Sequence, residues 1–345
     1  NVELNGCKSS VDKGVGNFYM LGLPKQKSTF KFFKCLNSIA MTGACLVVRN
    51  SNITFEDSEF TGNKATKQHI FDFSYTGPGE ISFTRCTFQD NVANLTITKT
   101  KNTVLSYINV IFQNNFVENG DFLNQIEEQS LLVQNTTITS SIKDLAAGKY
   151  QYIFQLNDVL SVQVKDTTFD GKNKVSFMTC SPCKSLNING STFSNGYGLN
   201  GSVIKASSYI VTVNSSKFQL NLAGFSGAIY SENSNLTIRY STFSDNSAVI
   251  EGSDLSIKNQ DNSKSLNFVT TVESSTFTRF NQSSIYSMND ILTLSGVNLQ
   301  ETKAQGQSRA LHIGNSYSLK ITNVRIDNMK SFGGIKILNE NLIKM

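Results

Sequence analysis

Tryptophan is absent from this chain, proline occurs three times, histidine twice, and charged residues make up only 17% of its 345 positions. Each scarcity narrows the reading. Both histidines sit in apolar contexts, Gln68-His69-Ile70 and Leu311-His312-Ile313, so neither His69 nor His312 is assigned to catalysis or to a metal. No run of eighteen apolar residues exists, so no direct membrane span is expected in this segment. The excess of positive charge is mild, at +5, and part of it lies in Lys8, Lys13, Lys25, Lys27, Lys31 and Lys34. Without interleaved bidentate donors this cluster reads as a solvated face, and no nucleic-acid partner is expected. The chain opens at Asn1 without a methionine or an apolar leader, as expected of a processed or cropped product.

What is present is 39% apolar residues, with 24 phenylalanines, 38 asparagines and 72 serines plus threonines. That is enough hydrophobe for a narrow core, and the polar residues favour turns and outward strand positions while depressing helix. An all-β chain follows.

Recurring "STF"-like tripeptides set a period near 26 residues. The anchors are Ser9, Asn37, Phe60, Phe88, Phe112, Ile138, Phe169, Phe193, Phe218, Phe243, Phe277, Leu299 and Ile326. Five residues before each anchor the residue is always apolar, and seven before it is apolar in all windings but that of Thr270. The residue between is mostly polar, which is the in-out-in alternation of a short strand. Three before the anchor, Gly, Asn, Asp or Ser is frequent, marking a corner that tolerates a left-handed backbone. Small residues leading into apolar ones follow each anchor, for example Gly43-Ala44-Cys45-Leu46, Gly227-Ala228-Ile229-Tyr230 and Ser247-Ala248-Val249-Ile250, and read as a third strand entered through a close backbone approach.

The expected architecture is therefore a right-handed single-stranded parallel β-helix, one domain over residues 1–345, with about thirteen turns of ~26 residues and three short strands per turn. The longest spacings place protruding loops near 143–149 and 258–264. A propeller blade needs about forty residues and four antiparallel strands, and a sandwich shows hairpins at shorter spacing, so neither fits.

The phrases Phe60-Thr-Gly-Asn63, Phe88-Gln-Asp-Asn91, Phe112-Gln-Asn-Asn115, Phe218-Gln-Leu-Asn221 and Phe243-Ser-Asp-Asn246 recur, together with Ser226-Gly-Ala-Ile-Tyr230 and Gly333-Gly-Ile335. They resemble the FxxN and GGA[I/L/V] repeats of polymorphic outer-membrane-protein-like passengers and of pectin-lyase-like β-helix surface proteins of protists. The resemblance implies exposure outside the cell, an adhesive or coat role, and often a longer parent chain. On that basis the chain is expected to be an extracellular structural or adhesive scaffold of a cell surface, coat or fibre. Its expected partners are copies of itself or other surface subunits, and glycans.

The alternative is a polysaccharide-binding or polysaccharide-degrading β-helix protein, acting as a lyase or hydrolase. Such enzymes need carboxylates converging on Ca²⁺ beside a base, or close carboxylate pairs. Here the acids are scattered as Glu56, Asp57 and Glu59, then Asp90, then Asp166 and Asp170, and Asp90 and Asp245 lie six windings apart. No catalytic residue, metal site or cofactor is assigned. Tyr75, Tyr197, Tyr230, Tyr240 and Tyr286 are solvent-facing rings that could stack on sugars.

The register puts Cys7 and Cys35 at one slot of consecutive windings, suggesting a bond; Cys180-Ser-Pro-Cys183 suggests a local disulfide, and Cys45 and Cys86 remain as a third pair. Paired cysteines fit an oxidising compartment. Eight sequons occur, at Asn52, Asn94, Asn135, Asn189, Asn200, Asn214, Asn235 and Asn281, about the number chance gives at this composition. Asn189 and Asn214, outward in adjacent windings, are the leading candidates for attached sugar. The segments 1–4 and 341–345 look like strands without capping helices, as expected either of a segment of a longer protein or of subunits that meet end to end in a fibre or coat.

Overall fold

The computed structural model describes residues 2–9, 16–18, 27–49, 51–119, 123–126, 130–140, 151–260, 268–302, 309–328 and 333–338. Among them there is no helix; the chain is a parallel β-solenoid of about 11 turns. It divides into two compact units, Asn1–Lys172 and Asn173–Met345. The loop expected at 143–149, most of that at 258–264, and the segment 341–345 lie outside the described residues.

In the first unit the anchor strands Val2–Asn5, Phe33–Leu36, Glu59–Thr61, Thr87–Gln89, Ile111–Val117, Thr137–Ser140 and Thr168–Asp170 form one parallel ladder. In the second unit, Thr192–Ser194, Lys217–Gln219, Thr242–Ser244, Thr276–Phe280, Asn298–Thr302 and Arg325–Asp327 do the same. The turns, about 11, are slightly fewer than the thirteen expected.

From Phe60 onward the stacking follows the sequence register. Ile53, Ile81, Leu105, Leu131 and Val162 lie over one another, as do Phe55, Phe83, Tyr107, Val133 and Val164. In the second unit Leu186, Val211, Leu236, Thr270, Leu292 and Leu319 form the equivalent column. The first two windings depart from the expected register: Cys35, two residues before the expected anchor Asn37, pairs with Phe60; Leu4, five before the expected anchor Ser9, pairs with Cys35; and Phe30, not Phe32, pairs with Phe55. Phe32 instead occupies the corner at φ 54° and is 53% exposed.

Parallel strands repeat at about 4.8 Å, so identical rings in successive windings meet face to face. Phe193, Phe218, Phe243 and Phe277 stack with centroids 5.0, 4.7 and 4.7 Å apart, and Phe60, Phe88 and Phe112 at 4.8 Å each. All seven rings are buried.

Corners are fixed by hydrogen bonding as well as packing. The residue three before the anchor has positive φ in winding after winding, as at Asp57, Asn109, Asn135, Asp166, Ser215 and Ser274, and even at Arg85 and Tyr240. The small residue that follows is a buried serine in much of the second unit, and its hydroxyl spans the bend: Ser216 Oγ donates to Asn214 O at 2.8 Å and accepts the Ser191 N–H at 3.2 Å. Ser241 and Ser275 repeat this pattern.

The FxxN asparagines form a second ladder. Asn63 Nδ2 donates to Asn91 Oδ1 at 2.9 Å, and Asn91 Nδ2 to Asn115 Oδ1 at 2.8 Å. The same amides also bond the backbone, Asn63 to Cys35 O and Asn91 to Phe60 O. Asn221 and Asn246 repeat the arrangement in the second unit. A buried amide has donors and acceptors to satisfy, and a rung above and below satisfies them.

A two-residue strand follows the second corner, as at Lys64–Ala65 and Leu222–Ala223, before the third face. At Gly227 a Cβ would run into the Ser253 carbonyl oxygen, which is the close approach expected of the small residues there. One such phrase behaves differently: Ser247–Ala248 is the short strand, Val249 and Ile250 are exposed, and the third-face strand starts at Gly252.

The basic cluster near the start is largely paired across windings. Lys27, Lys31 and Lys34 meet Glu80, Glu56 and Glu59 at 2.5, 3.1 and 3.6 Å, all with exposed lysines.

Candidate functional site

Strand alternation on the third face of the second unit turns Ile229, Leu255, Ile285 and Leu311 into the core. The intervening residues form an outward column in which Lys205, Tyr230, Ser256, Tyr286, His312 and Lys336 pair in succession. Ser256 is the small member between two tyrosines. The register slips between Gly252 and Leu255, and Gly252 N–H donates to Ser256 Oγ at 3.1 Å, which folds residues 249–252 over that serine. This bulge brings Glu251 to Lys258, with Lys258 Nζ 2.5 Å from Glu251 Oε1.

Glu251 is only 9% exposed, and its second oxygen, Oε2, is buried without a hydrogen-bond partner. Leaving such an acceptor unsatisfied costs about 1–3 kcal/mol, more when it is charged. Lys258 Nζ lies 5.5 Å from the Phe225 ring centroid and 5.9 Å from that of Tyr286, within cation–π range. The Tyr286 and His312 rings meet edge to face at 4.8 Å.

Electrostatics keep these groups in defined states. Burial works against the Lys258 ammonium, but the hydrogen bond to Glu251 and its charge outweigh that and raise the Lys258 pKa. Burial, reinforced by neighbouring carboxylates, raises the pKa of Tyr230 and Tyr286. Burial, with Lys336 and Arg309 nearby, lowers that of His312, so the imidazole is neutral at neutral pH. Lys205 and Lys336 lie two windings from Ser256 and Tyr286 respectively, about 10 Å away. That exceeds the Debye length of about 8 Å, and the pair energy in water is under about 0.5 kcal/mol. A ligand charge within ~4 Å of Glu251 would feel about 1–4 kcal/mol. The Glu251–Lys258 pair, not the outlying lysines, therefore sets which ligand charge is tolerated.

Of the sugar-stacking tyrosines expected from sequence, Tyr230 and Tyr286 share this column with Ser256 between them, but Tyr230 is only 8% exposed rather than solvent-facing, whereas Tyr286 is half-buried. Tyr197 lies in the short-strand row, Tyr240 is 65% exposed at a lead-strand corner, and the Tyr75 side chain lies outside the described residues. Sequence reasoning missed Glu251 and Lys258, since only the bulge joins them.

The scattered acids are mostly engaged with cations: Glu56 with Lys31, Asp57 with Arg85 at 2.6 Å, Glu59 with Lys34, Asp170 with Lys172 and Asp245 with Arg279. Asp90 accepts from Gln89, and Asp166 is an exposed corner residue. Among the described residues no group of three His, Cys, Asp or Glu is arranged to hold a metal ion.

The cysteines pair differently from expectation. Cys35 bonds Cys45, with Cα atoms 6.0 Å apart, while Cys7 and Cys86 are free. The unequal register shifts are the reason: the first winding moves by five residues and the second by two, so Leu4 rather than Cys7 stacks on Cys35. Cys180 and Cys183 form the expected local bridge, Cα atoms 5.7 Å apart.

Among the sequons, Asn214 Nδ2 donates to Asn189 Oδ1 at 3.1 Å. Asn135, Asn189 and Asn235 are exposed, and Asn200 and Asn214 are half-buried. The side-chain oxygens of Asn52, Asn94 and Asn281 accept hydrogen bonds from Glu80, Asn119 and Ala248.

No family model matches the chain, and no curated protein matches it. Among solved structures it is similar to PfbA, a surface adhesin of Streptococcus pneumoniae, with TM-score 0.53 and 11% identity over 91% of this chain and 85% of that one. A second structure of that adhesin gives TM-score 0.41 at 9% identity, over 90% and 91% of the two chains. Tailspike protein 3 of bacteriophage CBA120 gives 0.30 at 9% identity, over 92% of this chain and 56% of the other. At these identities the likeness is one of fold: the chain shares its β-solenoid architecture with a bacterial surface adhesin.

Proposed function

We propose that this chain is a non-catalytic adhesive β-solenoid displayed outside the cell, and that it holds carbohydrate on the third face of its second unit. The observation that carries this reading is Glu251, a nearly buried carboxylate with one unsatisfied oxygen, set beside Lys258 and near enough to Tyr230 and Tyr286 to raise the pKa of both. Sugars offer what such a place takes: hydroxyl donors for the carboxylate and C–H faces for the rings.

Three further observations support it. The fold is shared with a surface adhesin, two cysteine pairs are bridged, and the FxxN and GGAI phrases resemble those of exposed β-helix passengers. In this reading exposed sequons such as Asn189 carry sugar, and other surface subunits or further copies of the chain are partners. Catalysis is left out because most acids near the strand corners are neutralised by Lys or Arg.

The test is binding of the purified chain to an array of immobilised glycans, with product analysis after prolonged incubation. Retention on a defined set of glycans without chain shortening is expected. Absence of binding to every glycan would overturn the adhesive reading of this face, and released fragments would make the chain a depolymerase.

A further inference from the structure

The Glu251–Lys258 pair shows which sugar chemistry the face accepts. Glu251 Oε2 needs a donor, while Lys258 Nζ spends one of its three N–H groups on Glu251 Oε1 and keeps its side chain about one-third exposed. Donor need and donor supply thus lie a few ångströms apart beside one half-buried aromatic face, Tyr286, with the Phe225 ring centroid 5.5 Å from the ammonium. A vicinal diol matches this arrangement: one hydroxyl donates to the carboxylate and its neighbour accepts from the ammonium. Glu251 Oε2 has almost no exposed surface, so the hydroxyl meets it when the carboxylate turns about its terminal bond, a soft torsion.

Charge narrows the ligand further. Glu251 and Lys258 neutralise each other as a pair, so a ligand carboxylate gains at Lys258 about what it loses at Glu251, and a ligand ammonium the reverse. An uncharged sugar uses the donor and acceptor without needing either charge. The more distant Lys205 and Lys336 are screened. Resting on the carbohydrate-binding reading above, we propose that Glu251, Lys258 and Tyr286 form a subsite for one uncharged hexopyranose unit, gripped through two adjacent hydroxyls and stacked on the Tyr286 ring.

The experiment is titration of the full chain with two sets of oligosaccharides of equal length, neutral hexose oligomers and uronate oligomers, followed calorimetrically. Single-hydroxyl deoxy analogues of the best neutral binder form a third set. The unaltered chain is expected to bind neutral oligomers and to prefer them at least tenfold, with removal of either diol hydroxyl costing at least tenfold. Tyr286→Ala and Lys258→Met should each lose at least tenfold. Glu251→Gln frees the Lys258 charge, so it should weaken neutral binding and strengthen uronate binding, a reversal of preference that simple misfolding would not produce. Circular dichroism of each variant checks that the solenoid persists. Binding of uronates only would overturn the neutral-sugar assignment while leaving carbohydrate binding intact. Neutral binding unchanged in Glu251→Gln and Lys258→Met would overturn the subsite, and no binding of any oligosaccharide would overturn both readings.

Discussion

Asn246 Nδ2 donates to Asp254 Oδ1 at 2.8 Å, so the asparagine ladder of the second unit ends on a buried carboxyl group. The anchor of the next winding, Phe277, is followed three residues later by Phe280, which supplies no amide. Asp254 reaches in from the third face instead, and its other oxygen accepts from Ser284 Oγ at 2.8 Å. Burial pushes the Asp254 pKa up to about 7 against these bonds, and Asp290, held by Asn259 and Ser287, is likewise raised by burial to about 7.

A raised carboxyl pKa gives stability that is complete below the unfolded value of 3.8 and is lost as pH rises through about 7. The second unit should therefore resist unfolding better at pH 5 than at pH 8, by a margin on the order of 2–3 kcal/mol for each carboxyl at most. Asp254→Asn keeps an acceptor for Asn246 and offers a donor to Ser284, so it should flatten about half of that slope with little loss at pH 8. Hydrogen exchange of second-unit amides across this pH range measures it; an unchanged slope in the variant would remove Asp254 as its source.

His69 gives the first unit the opposite sign. It is 6% exposed, and burial, with Lys99 adding repulsion, lowers its pKa to about 4. Its contribution is complete above the unfolded value of 6.5 and is lost as pH falls through about 4. Acidification from pH 7 to 4 should loosen first-unit amides near His69 while second-unit amides near Asp254 tighten. An imidazole that titrates near 6.5 by NMR would contradict this.

The asparagine rungs should be costly to remove. Asn91 is fully buried, donates to Asn115 and to Phe60 O, and accepts from Asn63 through both its amide and its backbone N–H. Asn91→Ala leaves those partners unsatisfied and opens a small void, so a loss of about 2–4 kcal/mol is expected in urea unfolding of the region. An exposed asparagine such as Asn135, changed to Gly to suit its φ of 48°, should cost under about 1 kcal/mol.

Much of this was legible in the sequence because a strand has period two and a winding has nearly constant length: from Phe60 onward each apolar residue stacks where its spacing placed it. The slip in the first windings has a physical cause. Phe30 and Phe32 are both apolar, and pattern alone cannot tell that Phe32 sits on a left-handed corner, a conformation costing an ordinary L-residue roughly 1–2 kcal/mol. The candidate site was hidden for a different reason. Tyr230 and Tyr286 share a column only if the third-face strands are aligned across the bulge after Gly252, and alternation says nothing about where an extra residue is inserted.

The same slip decides the cysteine chemistry, which makes it testable by mass spectrometry. In the folded, unreduced chain, Cys35–Cys45 and Cys180–Cys183 should appear as bridged peptides. The two free thiols should react at different rates. Cys7 is half-buried near the start of the chain, whereas Cys86 is 1% exposed and burial pushes its pKa up to about 11, leaving almost no thiolate at pH 8. Iodoacetamide should label Cys7 within minutes and Cys86 only after denaturation. A Cys7–Cys35 peptide would restore the register in which Asn37 rather than Cys35 stacks on Phe60, and would displace Phe30 from its place beneath Phe55.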